Sequence, residues 1–425
     1  MNIRIAYYVV AFAISLAAFA GVYAFYAETD ARAANRDAET DERALIAERR
    51  AATAVTLVRP TNAPAPSATS VLPPNDLRAY WSHGTCMGSG PATLTAMPLA
   101  VEDTAVFVPM GLVAGGHVTP SDHVYFVPKD LAAGRTRYEV RAPTDGHIVN
   151  IQRRGFTVEG GRATEEYRVV IEHSCTFWTY FDLMTQLAPR ITEEVGEVAA
   201  GGPSRPIRVR VQAGEVIGRV GEHSLDFAVV NLDVALPGFV VPAHYDREPW
   251  KIHSVDPIEY FAEPVRTQIL ALNARTAAPR GGKIDHDVDG RLVGNWFREG
   301  TNGYAGARGN ESTYWTGHLS FTYHLIDPSV VLVSLGNFNG APRSFGVRGN
   351  GPDPRSIGRE AAPTKYELVL NAIGQSGQRY PVDPGTQGTV LVQLLDDRRL
   401  RVEVFPGRTA TEVTGFTAAA VVYER

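Results

Sequence analysis

The stretch VGEHSLDFAVVN, Val220 to Asn231, carries the residue types of a metal or acid–base site on what reads as a strand. Leu225, Phe227 and Val229 alternate with Asp226, Ala228 and Val230, the period of two that sends successive side chains to opposite faces of a sheet. His223 precedes Asp226 by three positions. An imidazole and a carboxylate brought to one place can share a divalent cation or pass a proton. Seven of the eleven histidines fall between His117 and His253, a mild enrichment around this stretch. The plain alternative is an ordinary strand with one acidic residue on it, and the choice depends on which other segments the fold brings alongside.

The elements that must do this positioning belong to a chain of 425 residues, long enough for more than one core. With 44% apolar and 20% charged residues it is globular in composition. A formal net charge of −5 supplies no electrostatic basis for nucleic acid as a partner. Ile5 to Ala27 is apolar except for Ser15, and as a helix these 23 residues span about 34 Å, enough for a bilayer. Arg4 before the run, with Glu28 and Asp30 after it, predicts a single-pass anchor in the cell inner membrane with the bulk of the chain in the periplasm. A cleaved signal peptide ending near Ala18 or Ala20 is the competing reading. In an exported chain the only two cysteines, Cys86 and Cys175, suggest a disulfide; two unpaired thiols are the alternative.

After the anchor (1–27), residues 28–77 read as a polar helix rich in Ala, Glu and Arg followed by a Pro-rich extended spacer. Residues 78–265 hold short apolar runs broken by Gly and Pro, the pattern of a β domain. Residues 266–288 read as a linker, with a short helix suggested by PVRTQILALNAR. From 289 to 425 eight further runs, from RLVGNWF to AAAVVYER, predict an antiparallel series that closes into a small barrel and so leaves no exposed edges. The fold class expected is therefore mainly β, with an N-terminal transmembrane helix, a first β domain and a C-terminal antiparallel β-barrel-like domain.

Three segments of the first domain are similar to the lysostaphin-type (LytM-like) zinc metallopeptidases, the duplicated-hybrid-motif fold that cuts peptidoglycan crosslinks. RAPTDGHIVNIQRRG (Arg141 to Gly155) matches that family's turn and strand, YRVVIEHSCTFWTYFDL (Tyr167 to Leu183) its strand pair, and VQAGEVIGRVGEHSLDFAVV (Val211 to Val230) its final segment. In this skeleton Gly146 and Gly214 are expected at turns with positive φ, and Gly218 and Gly221 where strands pack closely. The resemblance fails at the chemistry. The family's catalytic histidines fall on Asp182 and Ser224, and its last zinc-binding histidine falls on Asp226. The opening segment GGHVTPSDHVYF offers His117, Asp122 and His123 with the spacing from His117 to Asp122 one residue too long.

What the resemblance implies is thus a degenerate active site. A divergent set of His117 or His123 with Asp122 and Asp226 would bind zinc, or a harder divalent ion given its oxygen ligands. Asp182 is able to act as a general base but not to stabilise an oxyanion, since like charges repel. His173, His147 and His223 read as structural or loop histidines. The main expectation is a pseudoenzyme that binds peptidoglycan or an envelope protein without cleavage and needs no cofactor; a divergent metal-dependent endopeptidase is the rival. The halves aP.dG.v and v..Ge.i also resemble biotinyl/lipoyl modules and the periplasmic adaptors of secretion and transport systems, although no carrier lysine follows the pattern. In the second domain Gly294-Asn295-Trp296 and the final Arg425 resemble the signature of lipocalin-like barrels, which would imply a ligand carrier; a tryptophan anchoring a β core is the simpler reading.

Overall fold

The computed structural model describes residues 76–157, 163–201, 206–309, 311–382 and 385–425. The apolar segment 5–27, the polar helix and nearly all of the Pro-rich spacer lie outside the described residues. Among the described residues no helix is long and apolar enough to cross a membrane.

The first part of the chain forms β1 (Thr104–Val108), β2 (Val124–Pro128), β3 (Tyr138–Arg141), β4 (Gly146–Thr157), β5 (Ala163–Ser174), β6 (Phe177–Met184), β7 (Gln186–Leu187), β8 (Val209–Val211), β9 (Val216–Val220), β10 (Leu225–Asn231) and β11 (Ser254–Val255). Eight of these make one sheet in the order β1-β2-β10-β6-β5-β4-β8, with β11 added beside β10; β3, β9 and β7 form a smaller sheet. The helix suggested in PVRTQILALNAR runs from Val265 to Leu272.

The strand at the centre of the sequence question, β10, is buried along its whole length. Its alternation does not separate core from solvent but one core from another. Leu225, Phe227 and Val229 enter the main core. Ala228 and Val230 enter a second, aromatic core with Trp81, Trp178, Tyr180 and Trp250. A strand with both faces covered carries near-continuous apolar residues, as this one does.

Two glycines decide local geometry, by different means. Gly214 turns the chain with φ +78°, as expected. Gly146 has no positive φ, a correction to the sequence reading. A Cβ there would lie 2.6 Å from the Glu172 carbonyl oxygen, so glycine is required by the close approach of β4 to β5.

The second part forms β12 (Gly294–Arg298), β13 (His318–Tyr323), β14 (Val331–Phe338), β15 (Ala341–Val347), β16 (Thr364–Val369), β17 (Gly388–Asp396), β18 (Arg399–Pro406) and β19 (Val421–Glu424). Each pairs antiparallel with its neighbour in sequence, and β19 closes on β12, giving an eight-stranded closed barrel. Its interior is filled by side chains including Trp296, Phe321, Phe345, Tyr366 and Leu400. Trp296 donates its indole N–H to the Leu292 carbonyl at 2.8 Å, and the Arg425 guanidinium lies 4.0 Å from the Trp296 ring centre while Nη1 donates to the Val293 carbonyl at 2.6 Å. Trp296 and Arg425, both singled out in the sequence, therefore meet at one end of the barrel.

The barrel is seated on the first part. Phe297, Tyr304, Tyr314 and Trp315 belong to the same hydrophobic cluster as Phe107, Phe181 and Phe227. Ser320 donates to the Val118 carbonyl at 2.6 Å, and Asn295 donates to the Tyr245 hydroxyl at 2.9 Å.

Candidate functional site

The aromatic face of the large sheet turns ionic at one end. On β6 the side chains Trp178, Tyr180 and Asp182 share a face; on β10, Asp226, Ala228 and Val230 do; on β5, Arg168 and Val170 do. Asp226 pairs with Asp182 across the ladder. Two carboxylates directly opposite repel one another unless cations are supplied, and the neighbouring strands supply them. Arg168 donates to both oxygens of Asp182, from Nε at 2.8 Å and from Nη2 at 2.7 Å. Arg154, on β4, donates to Oδ1 at 2.7 Å and also lies 3.4 Å from Glu166. Burial alone would raise the Asp182 carboxyl, but the charges of Arg154 and Arg168 outweigh it and hold the group at about 2.

Asp122 and His123, just before β2, complete the cluster. The His123 ring lies between two carboxylates, with Nδ1 3.3 Å from Asp122 Oδ1 and Nε2 3.3 Å from Asp226 Oδ2. Burial would lower its pKa, yet Asp226 and then Asp122 lift it to about 9, so the ring is an imidazolium at neutral pH. Both oxygens of Asp122 are occupied. Oδ1 also faces Lys251 Nζ at 3.2 Å, while Oδ2 accepts from the Tyr180 hydroxyl at 3.1 Å and the Trp250 indole at 2.9 Å. Burial raises the Asp122 carboxyl, and Lys251 and His123 more than reverse this, so it stays well below the usual range. Lys251 is itself shifted upward: burial opposes its charge, but Asp122 and Glu248 overcome that. Glu248 lies 3.4 Å from it.

The residues the sequence nominated are thus brought together, but as an internally neutralised cluster. Asp122, His123, Asp182, Ser224 and Asp226 are 4%, 5%, 2%, 3% and 4% exposed. Ser224 donates to Asp226 Oδ1 at 3.4 Å. His117 stands beside His123 with ring centres 5.3 Å apart, and burial, then the charges of His123 and Lys251, bring it down to about 3, so it is neutral. The Lys251 ammonium in turn lies 4.8 Å from the Tyr304 ring, which comes from the loop after β12. The barrel therefore covers the cluster on that side.

Within the set His117, Asp122, His123 and Asp226, Asp122 is ill placed to hold a divalent metal ion. A metal ligand needs a free lone pair, and both Asp122 oxygens already accept hydrogen bonds or face a cation. An ion at Asp122 would lie beside the Lys251 ammonium. Among the described residues no group of three or more His, Cys, Asp or Glu side chains is arranged to hold a metal.

His173, His223 and His147 lie apart from the cluster's ion pairs, with partners of their own. His173 bridges the Asp145 carbonyl at 2.7 Å and the Thr179 hydroxyl at 2.9 Å. His223 bonds the Ser224 carbonyl at 2.9 Å, and His147 approaches Arg208 at 3.5 Å. Cys86 and Cys175 are joined, with Cα atoms 5.0 Å apart. Sequence reasoning missed Arg154, Arg168 and Lys251. One signal was available for the arginines: both lie in long strands, and Arg168 is in phase with the buried Val170, a place where a cation survives only with a partner.

No protein-family model matches this chain, and no curated protein matches it either. What fold and site define is a mainly β protein with a closed eight-stranded antiparallel barrel, seated against a sheet whose polar cluster is sealed by its own ion pairs.

Proposed function

We propose that this chain is a membrane-anchored protein of the cell envelope whose first domain is a lysostaphin-type fold that has lost its chemistry and binds peptidoglycan or an envelope protein without cutting. The observation that carries this reading is the state of Asp182. It stands where the family keeps a catalytic histidine, and it is clamped by Arg154 and Arg168 at 2.7 and 2.8 Å. A carboxylate held at about 2 is a poor proton acceptor at neutral pH. Ser224 and Asp226 supply no imidazole in place of the other family histidines. Lys251 and the His123 imidazolium provide, within the protein, the positive charge that a zinc ion would bring.

The test uses the full-length chain in detergent micelles, mixed with isolated peptidoglycan sacculi, with and without added Zn²⁺ or Mn²⁺. The expected result is co-sedimentation with the sacculi and no release of soluble muropeptides under either condition. Metal-dependent release that disappears in Asp226→Ala would overturn the reading in favour of a divergent endopeptidase. A chain that stays in the supernatant would move the search to a protein partner.

A further inference from the structure

Sulfur is divided unevenly between the interior and the surface of this protein. The chain has two cysteines and five methionines, and all but Met1 lie among the described residues. Both cysteines are spent in the Cys86–Cys175 disulfide. Met97, Met110 and Met184 are 8%, 3% and 0% exposed and belong to the main core. Met87 is 72% exposed, the most exposed large apolar side chain among the described residues. The five tryptophans, whose indoles are also oxidisable, are all buried.

The backbone on either side of Met87 is held in place. Before it, the Thr85 N–H donates to the Ser82 carbonyl at 2.9 Å, Arg208 donates to the Thr85 carbonyl at 3.3 Å, and Cys86 is bonded to Cys175. After it, the Cys175 N–H donates to the Gly88 carbonyl at 3.2 Å. The Gly90 N–H donates to Thr176 Oγ1 at 2.8 Å, and Ser174 Oγ donates to the Gly90 carbonyl at 2.7 Å. Gly88 and Gly90 take φ +74° and +85°, which turns the chain back onto residues 174–176. The loop is thus fixed to the β5–β6 turn, and its one thioether is left in solvent.

A thioether is a soft two-electron donor. A lone pair on Met87 Sδ attacks the terminal oxygen of a hydroperoxide. The S–O bond forms as the O–O bond breaks, and the departing oxygen takes the hydroperoxide proton and leaves as water or an alcohol. Sulfur is oxidised to the sulfoxide and the hydroperoxide is reduced. The step needs no catalytic group, so access to the sulfur sets its rate. Reversal takes two electrons and two protons from a dithiol and yields the thioether, water and a disulfide. With both of its cysteines bonded the chain has no thiol for that step, so the reductant is external. At Met87 the added oxygen faces water; at Met184 it would be a polar atom in an apolar core.

We infer that Met87 is a reversible oxidation site of this protein, converted to the sulfoxide by hydroperoxides ahead of the three core methionines and restored by an external dithiol-dependent reductase.

The test treats the full chain, in peroxide-free detergent micelles, with hydrogen peroxide and follows each methionine-containing peptide by mass spectrometry after digestion. N-acetylmethionine amide in the same tube gives the rate of a fully accessible thioether. Met87 should oxidise within about threefold of that standard and at least about tenfold faster than Met97, Met110 and Met184. The urea midpoint should stay that of the untreated protein while residue 87 alone is oxidised. Met87→Leu should remove the fast step and leave the core methionines at their own rates. The two epimer-specific methionine sulfoxide reductases, supplied with a dithiol, should return residue 87 to the thioether. Oxidation of Met87 no faster than that of the core methionines, a midpoint that falls as residue 87 alone is oxidised, or a sulfoxide that the reductases leave in place overturns the inference.

Discussion

Asp182→Asn replaces one oxygen by an amide and removes the charge, with almost no change of volume. In the parent protein Asp182 is 2% exposed and receives three charge-assisted hydrogen bonds, two from Arg168 and one from Arg154. Its pKa is held at about 2 against an ordinary 3.8, which corresponds to roughly 2–3 kcal/mol of preferential stabilisation of the ionised form. Orphaning a buried ion pair costs about 3–5 kcal/mol, and Arg154 keeps Glu166 as a second partner at 3.4 Å. We therefore expect a loss near the lower end, about 3 kcal/mol, a shift of roughly a hundredfold in the folding equilibrium. Urea unfolding followed by tryptophan fluorescence reads this directly, because Trp178 and Trp250 line the same face of the sheet. A double-mutant cycle separates orphaned charge from lost packing. Arg168→Met gives up contacts with the Tyr180 and Trp250 rings in either background, so that loss cancels. It should cost less in Asp182→Asn than in the parent, since there it removes an unpaired cation. The Asp182 pKa is depressed in the folded state, so its stabilisation is complete above 3.8 and is lost as pH falls through about 2. The parent and Asp182→Asn should accordingly converge in that window. A variant as stable as the parent, or strictly additive single changes, would refute the view of this cluster as a mutually dependent ionic seal.

Three further outcomes follow from the same geometry. His123 is raised in the folded state to about 9 from 6.5, so its contribution is complete below 6.5 and is lost as pH rises through about 9; His123→Gln should flatten the stability profile over that range. The disulfide between Cys86 and Cys175 spans 89 residues, so Cys86→Ser should cost about 4–5 kcal/mol on the chain-entropy model, measured as a lower urea midpoint that added reductant does not lower further. Arg425→Ala removes the contact with Trp296 and the bond to the Val293 carbonyl and leaves Asp287 buried without its ion partner at 3.6 Å; a loss of about 2–4 kcal/mol is expected, seen as a lower melting temperature.

The barrel was legible because its strands are short apolar runs separated by stretches that contain turn residues. All eight runs from RLVGNWF to AAAVVYER became strands, each antiparallel to its neighbour in sequence. Trp296 and Arg425 were also legible as residues worth noticing, although only the closed ladder places them in contact. The polar cluster was legible in its membership and illegible in its charge. Asp122, His123, Asp182 and Asp226 were all nominated, but their protonation depends on Arg154, Arg168 and Lys251, which come from different segments. A histidine in a sequence does not announce whether its two nitrogens will meet a metal or two carboxylates. Gly146 shows the same limit on a smaller scale: a glycine beside a turn suggests a backbone angle, whereas the cause here is a neighbouring strand's carbonyl.

The bond between Cys86 and Cys175 also fixes how this protein bears load. The described chain starts at Asp76, and between that end and Cys86 Leu77, Tyr80 and Trp81 pack in or against the aromatic core and Ser82 accepts the Trp178 indole N–H. Cys175 lies in the tight turn between β5 and β6, two central strands of the large sheet. If the segment ahead of Asp76 is a tether to a membrane, a pull along it first peels the stretch from Leu77 to Ser82 off the aromatic core and then reaches a covalent bond. Force passes from there into β6 and bypasses the residues between the two cysteines, β1 through β5 included. The β1 edge of the sheet is thus removed from the mechanical circuit, while the β8 edge and Asp182 on β6 stay in series.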